Sequence, residues 1–219
     1  MSRLILTLLS IVLATVFIAC DTTGNTNNNS KIAANASKPE VKIGVVPIAD
    51  NEIAVIEMAE PAFGTMKIEL YSNIAPKMVE RFKTLAREGF YNGTTFHRVS
   101  GTVIQGGDPN SKDSDPTNDG SGGSDKPNVP AEFSDVPFER GIVGAARTND
   151  FNTANCQFYI TLQRYPSWDK QYTVFGKVVE GLNNASTISG VPKAGERPLD
   201  NVIIKSITIQ PKILQPFSN

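Results

Sequence analysis

Apolar and polar residues alternate with a period of two over 52–58 (Glu-Ile-Ala-Val-Ile-Glu-Met) and again over 65–71 (Thr-Met-Lys-Ile-Glu-Leu-Tyr). Such alternation predicts two half-buried strands, with Pro61 and Gly64 marking the turn between them. The period lengthens at 75–88, where Met78, Phe82 and Leu85 fall on one helical stripe beside Val79 and Ala86. Pro76 suits the first turn of that helix and Gly89 its C-terminal cap, and the charged face is left to solvent. Two short strand-like runs split by a turn lie within 96–108, and further strand candidates follow at 141–147, 157–162, 172–179 and 201–209, with a short helix at 182–188. Many short strands, Gly-rich turns and only two helices predict an antiparallel β-barrel or sandwich.

The ends of the chain read differently. An apolar run at 4–18 follows Arg3 and is short for a membrane span, so it reads as a processing segment. It closes on Phe17-Ile18-Ala19-Cys20, which resembles a bacterial lipobox, in which cleavage leaves the cysteine as a lipid-bearing N-terminus. The expected division is a lipoprotein signal peptide at 1–19, lipidated Cys20 and a flexible Asn/Thr/Ser/Lys-rich tether over 20–51, a domain over 52–210 and a tail at 211–219. An uncleaved anchor is the alternative. Either way the protein is expected to be exported and held to a lipid bilayer, with the leaflet left open.

Charge and rare residues narrow the chemistry. The formal net charge is -1, and with Lys and Arg scattered there is no basic face for nucleic acid. Cys20 and Cys156 are the only cysteines and His97 the only histidine, which leaves no disulfide once Cys20 is lipidated and excludes most zinc sites. No metal or other cofactor is expected. Asp113, Asp115 and Asp119 lack the spacing of a calcium loop, and Gly120-Ser121-Gly122-Gly123 has no following lysine, so 109–129 reads as a solvated surface loop rather than a cation or phosphate site. In the stretch Phe96-His97-Arg98-Val99, strand alternation would put Arg98 on one face with Phe96 and turn His97 and Val99 the other way. Arg98 followed by Gln105 and the Gly106-Gly107 pair suggests a binding groove, with His97 structural and Cys156 a small buried residue.

The blocks FHRVSGTVIQGGD, GIVGAARTNDFNTANCQFYITL and YTVFGKVVEGL, in this order and spacing, resemble the cyclophilin family of peptidyl-prolyl isomerases, over about residues 52–210. The Ala146-Arg147-Thr148 run resembles the bacterial branch in particular. The resemblance implies an eight-stranded antiparallel closed β-barrel capped by two α-helices, with rotation of X-Pro bonds in exported proteins as the activity. It implies Arg98 as catalytic, Gln105 as the residue that orients it, and Ala146 and Arg147 as backbone contacts for a peptide. Gln157 would line the groove, Tyr159 would take the place of a Phe on the pocket floor, and Tyr172 that of a His at the rim. Thr102 falls where the family has a Phe and Val103 where it has a Met, after a turn one residue shorter; Trp168 falls one position beyond the usual Trp, where Ser167 stands. These departures imply a wider, less apolar pocket and weakened binding of cyclosporin-type inhibitors. The expected partners are Pro-containing peptide segments, met by a monomer. A rival reading keeps the barrel as a chaperone or scaffold module that grips proline segments with little turnover.

Overall fold

The structure, a computed structural model, describes residues 38–212; the signal segment, Cys20, the first part of the tether and most of the C-terminal tail lie outside the described residues. In chain order the elements are β1 (Val41–Lys42), β2 (Glu52–Met58), β3 (Thr65–Leu70), α1 (Pro76–Arg87), β4 (Arg98–Val99), β5 (Val103–Gly106), β6 (Phe133–Ser134), β7 (Ile142–Ala145), β8 (Phe158–Thr161), β9 (Val174–Glu180), α2 (Leu182–Ser189), β10 (Lys193–Ala194), β11 (Arg197–Pro198) and β12 (Ile204–Pro211). Eight of them form one antiparallel sheet in the order β12-β2-β3-β9-β7-β8-β5-β4. The sheet curls until its ends meet: Gly93 N–H donates to the Ile204 carbonyl at 2.9 Å, Ile204 N–H to that of Thr94 at 2.8 Å, and Phe96 N–H to that of Val202 at 2.9 Å. These bonds occupy backbone groups that an open sheet would leave unpaired.

Alternation in β2 and β3 does what its period demands. Ala54, Ile56, Met58, Met66, Ile68 and Leu70 turn inward and are buried. Helix α1 covers the same core with Met78, Val79, Phe82 and Leu85, and α2 adds Ala185 and Ile188. Phe82 sits among Tyr91, Phe158 and Phe175 with ring centroids 5.3, 5.4 and 5.3 Å away, in tilted and edge-on arrangements that suit the ring quadrupoles. Cys156 is fully buried, and burial pushes its thiol up to about 11, so it behaves as a small apolar residue.

Four expectations need correction. The charged face of α1 is not wholly solvated: Lys83 is buried, and its Nζ meets Asp50 at 2.5 Å and Glu52 at 3.1 Å. Ordered structure also begins before residue 52. Val41 and Lys42 pair in parallel with Phe133 and Ser134, Lys42 Nζ donates to the Ile74 carbonyl at 2.7 Å, and Asp50 N–H donates to the Leu70 carbonyl at 2.9 Å. Polar side chains and backbone, not apolar periodicity, hold this strap, so composition alone made it a tether. At the other end β12 runs to Pro211, and Lys212 N–H donates to the Asn51 carbonyl at 2.8 Å, so the tail starts later than 211. Finally, Phe96 does not share a face with Arg98. The strand starts only at Arg98, and Phe96, three residues before Val99, is buried in the barrel core with it.

Candidate functional site

Register assembles the site. Arg98 of β4 lies opposite Gln105 of β5, Gln105 opposite Tyr159 of β8, and Tyr159 opposite Gly144 of β7. Directly opposed residues project from the same face of a sheet, so these four positions form one row across the barrel's outer surface. Gln157, two residues before Tyr159, joins that face.

The polar half of the row is a chain of hydrogen bonds with one direction. Gln157 Nε2 donates to the carbonyls of Gly120 at 3.0 Å and Gly122 at 2.9 Å, which leaves its oxygen to accept from Gln105 Nε2 at 3.0 Å. Gln105 Oε1 is then free to accept from Arg98 Nη1 at 3.3 Å. Each amide orientation is thus dictated by the carbonyl acceptors at the far end. The loop over 109–129 is therefore more than the solvated surface expected of it, since two of its carbonyls anchor this chain. The loop is itself pinned by fully buried Asp108, whose carboxylate accepts from Asn110 N–H at 2.8 Å and Gly122 N–H at 3.1 Å. On its other edge Arg98 is met by Glu196, which sequence reasoning missed: Nε donates to the carboxylate at 2.6 Å.

The apolar half closes a small cavity of about 100 Å³ lined by Tyr159, Trp168 and Tyr172 with Arg98, Gln105, Ala146 and Arg147. That is roughly three times the ~30 Å³ of a liquid water, the scale of a small ring. Tyr159 is buried and can lean across β7 only because residue 144 is Gly; a Cβ there would lie 2.4 Å from the Tyr159 hydroxyl. Burial pushes the Tyr159 phenol well above its ordinary value, so it stays protonated. Trp168 stacks on Tyr165 with centroids 4.2 Å apart and meets Tyr159 edge-on at 5.1 Å. Tyr165 in turn donates its hydroxyl proton toward Thr102 Oγ1. The two positions from which a wider, less apolar pocket was expected, Thr102 and Val103, lie outside the cavity. Val103 is buried and packs in the apolar cluster that includes Tyr159, while Tyr159, Trp168 and Tyr172 supply the aromatic wall and Tyr165 backs Trp168 from behind. Only the unusual density of Tyr and Trp over 159–172 could have signalled this.

The cavity opens into a groove of about 480 Å³ past Ala146, Arg147 and Gln157 to Gly122, Thr148 and Asn155. The Arg147 guanidinium lies between the rings of Tyr172 at 4.3 Å and Phe151 at 4.9 Å, and its Nη2 donates to the Gln171 carbonyl at 2.9 Å. Its side chain so occupied, Arg147 keeps its backbone N–H and C=O unpaired among the described residues, available to an extended peptide. His97 points elsewhere: it is buried, neither ring nitrogen has a partner among the described residues, and burial lowers its pKa, so it is neutral at pH 7. Among the described residues no group of His, Cys, Asp and Glu is placed to hold a metal. The arrangement can grip a chain in extended form, seat a small ring, and present a fixed guanidinium beside it.

Comparison with known proteins agrees with that geometry. Residues 54–209 match the family model described as cyclophilin type peptidyl-prolyl cis-trans isomerase/CLD. A probable peptidyl-prolyl cis-trans isomerase of Brucella suis is 46% identical over 130 residues, 57% of this chain and 66% of that protein, so the chain spans slightly under two thirds of that relative's length. Peptidyl-prolyl cis-trans isomerase-like 3 of Mus musculus is 39% identical over 153 residues, 67% of this chain and 90% of that protein. Among solved structures, a Cryptosporidium parvum cyclophilin type isomerase crystallised in the presence of the dipeptide Ala-Pro superposes with a TM-score of 0.63 at 31% identity, covering 72% of this chain and 98% of that one.

Proposed function

The chain belongs to the cyclophilin-type peptidyl-prolyl cis-trans isomerase family, and from that membership we propose that the row Arg98-Gln105-Tyr159 catalyses rotation about X-Pro bonds in exported proteins. The observation that carries the reading is the Arg98 guanidinium, oriented by Gln105 at the mouth of the aromatic cavity. Amide resonance sets a barrier of about 18–20 kcal/mol, and uncatalysed X-Pro exchange takes on the order of tens to hundreds of seconds. Halfway through the rotation the proline nitrogen pyramidalises and gains a lone pair. Arg98 is a permanently charged planar donor, and an N–H aimed at that nitrogen binds it better in the twisted state than in the planar one. Tyr159, Trp168 and Tyr172 hold the ring while the preceding residues rest on the Arg147 backbone. No proton is transferred, so no titrating base is needed.

Two features of the site and the chain extend the reading. The indole arrives from Trp168, with Ser167 exposed beside it, and Thr102 is tied to Tyr165, so cyclosporin-type macrocycles are expected to bind weakly. The apolar run at 4–18 ending at Cys20 supports an exported, lipid-anchored isomerase that acts as a monomer on clients near a bilayer. Mass spectrometry of the mature protein tests the anchor: a lipid-modified N-terminal Cys20 is expected, and an unmodified Met1 terminus contradicts it.

The activity is tested by NMR exchange spectroscopy on an Ala-Pro peptide with residues 38–212. Cis/trans exchange at least tens of times faster than in buffer is expected. Peptide shifts that titrate with protein while the exchange rate stays at its uncatalysed value would replace the isomerase with a binding module.

A further inference from the structure

Arg98 is gripped on two edges, and only one grip comes from the barrel. Gln105 takes Nη1, whereas Nε goes to Glu196, which lies 98 residues away in sequence on the β10–β11 hairpin. The hairpin is built for the purpose of a short reach. Lys193 pairs with Pro198 and Ala194 with Arg197, so Gly195 and Glu196 are the whole loop, and Gly195 takes the φ of +66° that a two-residue turn requires at its first position. The turn is docked on the catalytic strand itself, since Val99 N–H donates to the Glu196 carbonyl at 2.6 Å. Backbone and carboxylate of one residue thus bracket Arg98 and its neighbour. Both Nη2 protons remain without a protein partner among the described residues, free for a substrate.

We infer that Glu196 is a positioning residue for catalysis, fixing the plane of the Arg98 guanidinium together with Gln105 so that its unpaired N–H groups face the proline nitrogen. The inference rests on the isomerase reading above. Two contacts on adjacent edges define the plane of a rigid fork, and one contact leaves it free to swing. Misplacement of a catalytic group by about 1 Å can cost on the order of 10²-fold in rate, so losing one of two supports is expected to cost about tenfold. The pair is half-exposed on both sides, where ion pairs add little stability, so the fold is expected to survive its loss.

The test compares wild type, Glu196→Ala and Glu196→Gln by exchange kinetics with an Ala-Pro peptide and by the ¹H–¹⁵N resonance of Arg98 Nε, assigned as the signal lost in Arg98→Lys. Glu196→Ala is expected to lower kcat about tenfold with KM changed less than twofold, and to move the Nε resonance to the position of a solvent-exposed arginine. Glu196→Gln, which keeps an acceptor oxygen, is expected to recover most of both. An active wild type matched in kcat by Glu196→Ala overturns the inference and leaves the isomerase standing, as does a kcat loss with the Nε resonance unmoved. A wild type that does not speed exchange removes the isomerase reading and this inference together.

Discussion

At Gly144 an added methyl would meet Tyr159 within 2.4 Å, and the backbone of β7 cannot retreat without breaking its pairing with β8. Gly144→Ala is therefore expected to cost about 1–3 kcal/mol in a denaturant melt and to lower isomerase activity, because the floor of the cavity must move. His97 gives a pH dependence of stability rather than of rate. Its folded pKa lies below its ordinary value because burial disfavours the cation. The unfolded chain then binds more protons than the folded one as pH falls through about 6.5, so stability declines below that pH and is complete above it. His97→Gln is expected to flatten that part of a melting-temperature profile between about pH 5 and 7, while kcat of the wild type stays level from about pH 6.5 to 9. A kcat that followed a single ionisation in that range would contradict a mechanism without proton transfer.

At the scale of elements, two supports differ in kind. Phe82 anchors α1 by packing, and Phe82→Ala is expected to cost about 3–5 kcal/mol. Lys83 anchors it by charge. Burial pushes the Asp50 carboxyl up, but hydrogen bonds from Lys83 and Ser72 more than offset this and hold it below its usual value. Lys83→Met leaves that carboxylate facing an apolar stem and is expected to cost about 1–3 kcal/mol in a thermal melt at pH 7, with the penalty shrinking as acid protonates Asp50. The long elements were legible because their signals are local: period two in β2 and β3, period 3.6 in α1, Pro76 and Gly89 at its ends. The strap over 41–51 was not, since Lys42, Asp50 and Asn73 hold it by bonds to distant residues that no window along the chain contains. Within the site, the row Arg98, Gln105, Gln157 and Tyr159 was legible through resemblance. Glu196 and Tyr165 were not, because a short hairpin and a stacked ring acquire meaning only once the barrel brings them beside Arg98 and Trp168.

For the molecule as a whole, the closed sheet explains why a site of so few groups suffices. Gln105 and Tyr159 sit on strands paired on both sides, and Arg98 on an end strand held by β5 on one side and by the Glu196 carbonyl on the other, so the guanidinium, the amides and the pocket floor share one frame, and binding energy is not spent on assembling them. The central claim is that Arg98 acts on the twisted state and contributes little to holding the planar peptide. It is tested most directly by measuring kcat and peptide Kd for Arg98→Ala beside wild type, by exchange spectroscopy and titration on the same samples. The account predicts a kcat lower by about 10²–10³-fold, as for removal of a single transition-state donor, with Kd within about threefold of wild type. A kcat that survives the substitution, or a loss carried entirely by Kd, would contradict it.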